Sequence, residues 1–168
     1  RSALRAQIDY MYATRDIIAR TNRSLCRDTR PTEFVSLFYG ALDMKNRRFT
    51  YSNAGHNPPL LFRGGQEIPL EKGGPILGTL DDATFEEATI VLQPGDVVLF
   101  YTDGVTDVFN PDRAMFGLEG VRKAVRPHLG DSARQVLDSV EREAKAFARG
   151  TVHFDDMTMV VLKVLGRS

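Results

Sequence analysis

The sequence has one cysteine, Cys26, three histidines and no excess charge of either sign, and each shortage removes a class of function. A single thiol forms no intramolecular disulfide and no cysteine metal cluster, which fits a reducing compartment. With so few histidines beside that one cysteine, zinc is a poor match, because its sites are built from those two side chains. Lys plus Arg and Asp plus Glu both number 22, so the basic surplus of a general nucleic-acid binder is missing. No apolar run approaches the roughly 20 residues of a membrane span, and no signal-peptide pattern is read at the start. Gly-x-Ser-x-Gly is absent, and no Ser-His-Asp arrangement is evident. The glycine-rich stretch around Gly73 lacks the Lys-Ser/Thr of a phosphate-binding loop.

What is present is a chain of 168 residues, 42% of them hydrophobic, enough for one domain over 1–168 with a real core. Arg1 already lies in helical-looking sequence, so a piece of something longer is expected. Leu4, Ile8, Met11, Ile18 and Leu25 share one face of a helix predicted over 1–27. Arg15 and Asn22 interrupt the second stripe that a coiled coil needs, which favours packing onto a sheet. The helix is basic, and a solvated face explains that before a docking surface does. Residues 34–43 are apolar on both faces and predict a central strand covered on two sides. Residues 49–53 alternate and predict its hairpin partner, followed by a proline-stopped loop over 54–59. Two short strands flank Arg63-Gly64-Gly65-Gln66, a second hairpin. After a glycine-rich loop over 71–82, residues 85–92 resume a strand. Two helices are predicted over 116–128 and 132–148, the second capped by Ser132 and stopped by Gly150. A last strand over 154–164 reads as covered on both faces. Hairpins with helices towards the two ends predict an α+β domain rather than βαβ units.

The chain is organised around Phe100-Tyr101-Thr102-Asp103-Gly104-Val105-Thr106-Asp107. A short, β-branched and aromatic run over 97–101 enters through Pro94-Gly95-Asp96 and ends in Thr-Asp-Gly, which reads as a buried strand delivering Asp103 at its mouth. Gly104 allows a sharp turn or close approach to a ligand. Asp155-Asp156 opens the last strand. If the two strands are antiparallel neighbours, Asp103 and Asp155 converge on one rim, and carboxylates so placed suit Mg²⁺ or Mn²⁺. From spacing alone the pattern serves a two-metal phosphoesterase or a structural acidic rim, and Asp-Gly by itself is ordinary turn chemistry.

Five motifs follow one another in an order that resembles the SpoIIE-like bacterial members of the metal-dependent PPM (type 2C) protein phosphatases. They are Ser52-Asn53-Ala54-Gly55-His56-Asn57-Pro58-Pro59-Leu60, Pro94-Gly95-Asp96, Tyr101-Thr102-Asp103-Gly104-Val105-Thr106-Asp107, Phe116-Gly117 and Asp155-Asp156-Met157-Thr158. The resemblance implies an antiparallel β-sandwich flanked by helices, and hydrolysis of phosphoserine or phosphothreonine by a water held between two Mn²⁺ or Mg²⁺ ions. It implies Asp103 and Asp155 as metal ligands, Asp156 in support, Gly104 for close backbone approach, and no protein nucleophile. Asp107 reads as a helix N-terminal or solvent-facing acid before it reads as a ligand. The implied partners are a phosphorylated protein, such as an anti-sigma-factor antagonist, and a sensor or receiver domain on the same polypeptide, in the cytoplasm.

Two departures accompany the resemblance. The family's upstream Asp-Gly has no counterpart, so the chain is expected to be truncated at its N-terminus relative to the family, without the first strands and the bridging ligand, and poorly active alone. His56 stands where many eukaryotic relatives carry an aspartate for a third metal, and reads as a hydrogen-bonded structural histidine. Two rivals stay open: a phosphatase-like binding module without catalysis, and a metal-dependent hydrolase of small phosphoesters.

Overall fold

The structure, a computed structural model, describes residues 13–28, 30, 32–150 and 156–166. The chain divides into two compact units, the first from Arg1–Pro58 and Leu70–Leu92, the second from Pro59–Pro69 and Gln93–Ser168.

In the first unit, helix α1 (Thr14–Asp28) covers a sheet of strands β1 (Leu37–Asp43), β2 (Arg48–Ala54), β5 (Gly73–Gly74) and β6 (Ala88–Val91). The β1–β2 hairpin forms as its alternation predicts, with register from Leu37↔Ala54 to Asp43↔Arg48. β2 is the central strand. β6 pairs with its first half and β5 lies parallel to Asn53 and Ala54. That last approach needs glycine: a Cβ on Gly73 would stand 1.7 Å from the Asn53 carbonyl oxygen. Ile18 seals the helix onto Ala54, Leu77 and Phe85. A fully buried isoleucine stabilises by roughly 1.5–3 kcal/mol. On the opposite face of the β1–β2 hairpin, the Phe38 and Phe49 rings flank Tyr51 at 5.3 and 6.0 Å.

Two expectations change here. The helix does not run unbroken over 1–27: it starts at Thr14 with Ala13 outside it, and residues 1–12 lie outside the described residues. Its first turn is closed from a distance, because Glu87 accepts from the Thr14 hydroxyl at 2.8 Å and the Arg15 amide at 3.2 Å. β1 is not a central strand covered on both sides. Among the described residues it pairs only with β2, and Gly40 to Asp43 are exposed. β2 takes the centre because β1, β5 and β6 all bond to it, whereas an apolar run reports only the wish for cover.

In the second unit, strands β3 (Leu60–Arg63), β4 (Gln66–Pro69), β7 (Val97–Tyr101) and β8 (Met159–Lys163) form an antiparallel sheet in the order β4-β3-β7-β8. Gly64 and Gly65, with φ of 54° and 82°, make the tight two-residue β3–β4 connection. Alternate residues Val97, Leu99 and Tyr101 join Leu60 and Phe62 in one core. That core also holds Val105 from helix α2 (Asp103–Thr106), Val121 and Val125 from α3 (Gly117–Val125), and Val136, Val140 and Ala144 from α4 (Ala133–Ala148). A 3₁₀ turn, Arg126–His128, follows α3. Ser132 caps α4, as its sequence predicts, and the structure adds a reciprocal bond with Gln135. Arg149, not Gly150, is the first left-handed residue at its end, with Gly150 following at φ 83°. β8 is less covered than its pattern suggests, since Val160 is 56% exposed.

Candidate metal centre

β7 carries the chain to Asp103 from deep in the core: Val97, Val98 and Leu99 are completely buried. The turn before it is locked by Asp96, which is itself buried and accepts from Arg63 Nε at 2.9 Å, Arg63 Nη2 at 2.6 Å and the Gln93 amide at 2.7 Å. A carboxylate taking three charge-assisted or backbone bonds is fully satisfied, so the Asp of Pro94-Gly95-Asp96 is a structural clamp on β3.

β7 and β8 are antiparallel neighbours, as the convergence argument requires, with Tyr101 opposite Met159. The end of one strand therefore lies beside the segment that leads into the other. Thr102 continues this pairing beyond the strands. Its amide donates to the Thr158 carbonyl at 3.0 Å, its hydroxyl donates to the Asp156 carbonyl at 3.1 Å, and the same hydroxyl accepts from the Thr158 amide at 3.0 Å. Nothing local in the sequence signals this role for Thr102, because its partners lie 54 and 56 residues away.

Asp103 follows at once and opens α2. The Thr-Asp-Gly stretch is a helical turn, not the simple reverse turn of an ordinary Asp-Gly. Val105, completely buried, anchors that turn to the core. The Asp103 side chain is exposed, with one carboxylate oxygen accepting from the Gly104 amide at 3.0 Å. Gly104 is buried in helical backbone. The Asp103 carbonyl accepts from the Asp107 amide at 2.8 Å. Asp107 is exposed at the C-terminal end of α2, not at a helix N-terminus, and its Oδ1 accepts from the Thr106 hydroxyl at 3.0 Å. Asp156 is exposed on the segment that Thr102 grips. Asp155 lies outside the described residues, and with it the expected Asp103–Asp155 pairing.

Asp103 and Asp156 offer exposed carboxylates, the donor that a hard divalent cation takes. Among the described residues no three His, Cys, Asp or Glu side chains gather into a metal-holding group. The two histidines within them are engaged elsewhere. His56 is hydrogen-bonded, as expected: its amide donates to Asn53 Oδ1 at 2.8 Å and its Nδ1 lies 3.2 Å from the Ser36 hydroxyl. His128 Nδ1 lies 2.7 Å from Asp131 Oδ2. No helix of the described residues is long and apolar enough to cross a membrane.

The family described as Stage II sporulation protein E (SpoIIE) matches residues 1–165. Protein IcfG of Synechocystis is 31% identical over 130 residues, covering 77% of this chain and 20% of that protein. Phosphoserine phosphatase RsbU of Bacillus subtilis is 24% identical over 149 residues, covering 88% of this chain and 44% of that protein. The chain thus spans less than half the length of either relative. The solved structure of the RsbU and RsbW domains of Rv1364c from Mycobacterium tuberculosis covers 99% of this chain and 46% of its own, at 25% identity and a TM-score of 0.75. The SiaA-PP2C domain of Pseudomonas aeruginosa, at 14% identity, covers 96% of this chain and 65% of its own, with a TM-score of 0.81. The α+β fold is therefore that of the PP2C-like phosphatases.

Proposed function

The chain belongs to the SpoIIE family, which matches it from residue 1 to residue 165, and from that premise we propose that it is the phosphatase domain of a protein serine/threonine phosphatase. The carrying observation is Asp103, presented by a rigid buried strand beside the segment leading into β8. A carboxylate on a fixed scaffold is the kind of ligand that catalytic metal sites need. The family implies dependence on a divalent metal. The donor chemistry favours Mn²⁺ or Mg²⁺, two ions in the complete domain, with Asp103 and Asp155 as ligands, Asp156 in support and Gly104 lining the approach. Such ions lower the pKa of bound water and balance charge on a phosphoryl group. The chain's own contribution is to hold Asp103 on helical backbone whose amides and hydrophobic anchor leave the carboxylate facing out.

The substrate is a phosphoserine or phosphothreonine protein. RsbU carries the name phosphoserine phosphatase, and an RsbU domain shares a polypeptide with an RsbW domain in the mycobacterial protein. Both support a place in sigma-factor signalling, with a phosphorylated antagonist of an anti-sigma factor as the substrate class. The reading extends to residues 1–168 acting as one phosphatase domain, beside a sensor or receiver domain, in the cytoplasm. The test is phosphate release from a phosphoserine peptide and from p-nitrophenyl phosphate by the full-length protein with Mn²⁺, for wild type and Asp103→Asn. The expected result is turnover of the peptide that falls by several orders of magnitude in Asp103→Asn. Asp103→Asn as active as wild type at saturating Mn²⁺ sinks the assignment. Turnover of the small ester alone selects the small-phosphoester hydrolase, and peptide binding without phosphate release selects the binding module.

A further inference from the structure

Thr102 occupies the N-cap position of α2, with the extended backbone (φ −91°, ψ 164°) that an N-cap requires. A threonine there ordinarily turns its hydroxyl onto the amides of the helix's own first turn. Thr102 does not: its side chain makes no cap bond. The hydroxyl reaches across to the neighbouring strand, donating to the Asp156 carbonyl and accepting from the Thr158 amide at 3.1 and 3.0 Å. One donor and one acceptor are what a hydroxyl offers at its simplest, and both go to the same three-residue segment, 156–158. A local rule set aside for a contact elsewhere marks a place where position matters more than helix stability.

We propose that Thr102 is a positioning residue of the metal centre: its hydroxyl sets where the Asp156-bearing segment sits relative to Asp103. The inference rests on reading Asp103 as a metal ligand. The backbone bond from the Thr102 amide to the Thr158 carbonyl holds the two strands together. The ladder from Val97↔Lys163 to Tyr101↔Met159 does the same below it. Neither contact touches the Asp156 carbonyl. Only the side chain does so among the bonds Thr102 makes, and it does so within one residue of Asp103. Removing the hydroxyl therefore leaves the sheet paired and loosens the acidic segment, a change felt by a bound cation before it is felt by the fold.

The test uses three variants of the full-length protein: Thr102→Val, of the same shape without the hydroxyl, Thr102→Ser, which keeps it, and Asp103→Asn. Mn²⁺ affinity is measured by titration calorimetry and Tm by thermal unfolding without metal. Residues that orient metal ligands typically change affinity about 10–100-fold. Thr102→Val is expected to weaken Mn²⁺ binding about 10-fold or more, Thr102→Ser to stay within about 3-fold of wild type, and the metal-free Tm of both to stay within about 3 °C. Wild-type affinity in Thr102→Val overturns the inference, as does Thr102→Ser weakened as much as Thr102→Val. A loss of affinity that tracks a larger fall in metal-free Tm also overturns it, because the hydroxyl would then be a fold contact. Should Asp103→Asn bind Mn²⁺ as wild type does, or wild type bind none, the metal reading fails and takes this inference with it.

Discussion

Asn22 and Ser52 are both completely buried polar side chains in the first unit, and they make opposite predictions. Asn22 donates to the Leu80 carbonyl at 2.6 Å and accepts from the Gly78 amide at 2.9 Å, stapling the glycine-rich loop onto α1. Replacing it with Leu leaves the Leu80 carbonyl and the Gly78 amide, each in a part-buried bond, without their partner. An unsatisfied buried group costs about 1–3 kcal/mol, so Asn22→Leu should destabilise by roughly 2–4 kcal/mol in urea unfolding. Ser52 Oγ has no hydrogen-bond partner among the described residues. Ser52→Ala therefore breaks no hydrogen bond among the described residues and should change stability by less than about 1 kcal/mol, in either direction. A large loss for Ser52→Ala, or none for Asn22→Leu, contradicts this account. The sequence pointed to neither role. Asn22 read only as an interruption of an apolar stripe, because its partners come from a loop 56 and 58 residues away. Asp103 stands out in the sequence because its motif is local. The bonds of Thr102 are hidden from its motif, because its partners lie 54 and 56 residues on.

Elements were legible where their signals are local. The Ser132 cap, the Gly64-Gly65 hairpin and the β1–β2 hairpin all follow from neighbouring residues. The start of α1 was not, because its cap is Glu87, 73 residues from Thr14. That cap carries a pH dependence. Burial pushes the Glu87 carboxyl up, but the Thr14 hydroxyl, the Arg15 amide and the Arg15 charge outweigh it and hold it below its ordinary 4.5. A depressed folded-state pKa contributes stability that is fully present above the unfolded value and lost as pH falls through the folded one. The stability difference between wild type and Glu87→Gln should therefore be largest above pH 4.5 and shrink as the pH drops below it. Urea midpoints of the two proteins near pH 6 and near pH 3 measure this directly, and a difference that grows towards acid would reverse the assigned sign.

At the scale of the whole molecule, motif order along the chain pointed to the family, but the division of strands between sheets was hidden. The β3–β4 hairpin follows the β1–β2 hairpin after five residues, 55–59, yet joins the other sheet, where β3 pairs with β7. Hairpin signals report a strand's nearest partner, not the sheet to which the pair belongs. Local and global stability meet in Asp103. Without metal, its exposed carboxylate shares one helical turn with that of Asp107, four residues on, and like charges so spaced destabilise by a few tenths of a kcal/mol. Asp103→Asn should then leave the metal-free protein within about 0.5 kcal/mol of wild type. Adding Mn²⁺ should separate the two. A ligand that binds only the folded state stabilises it by about 2.7 kcal/mol at 100 times its dissociation constant, and removing a ligand carboxylate forfeits most of that. The wild-type Tm should climb with Mn²⁺ and fall back on chelation, while the Asp103→Asn protein stays nearly flat. If Asp103→Asn is already several kcal/mol less stable without metal, the carboxylate is a fold contact. Parallel climbs of the two proteins would mean that the ion is held by other residues, and in either case Asp103 loses its assigned role.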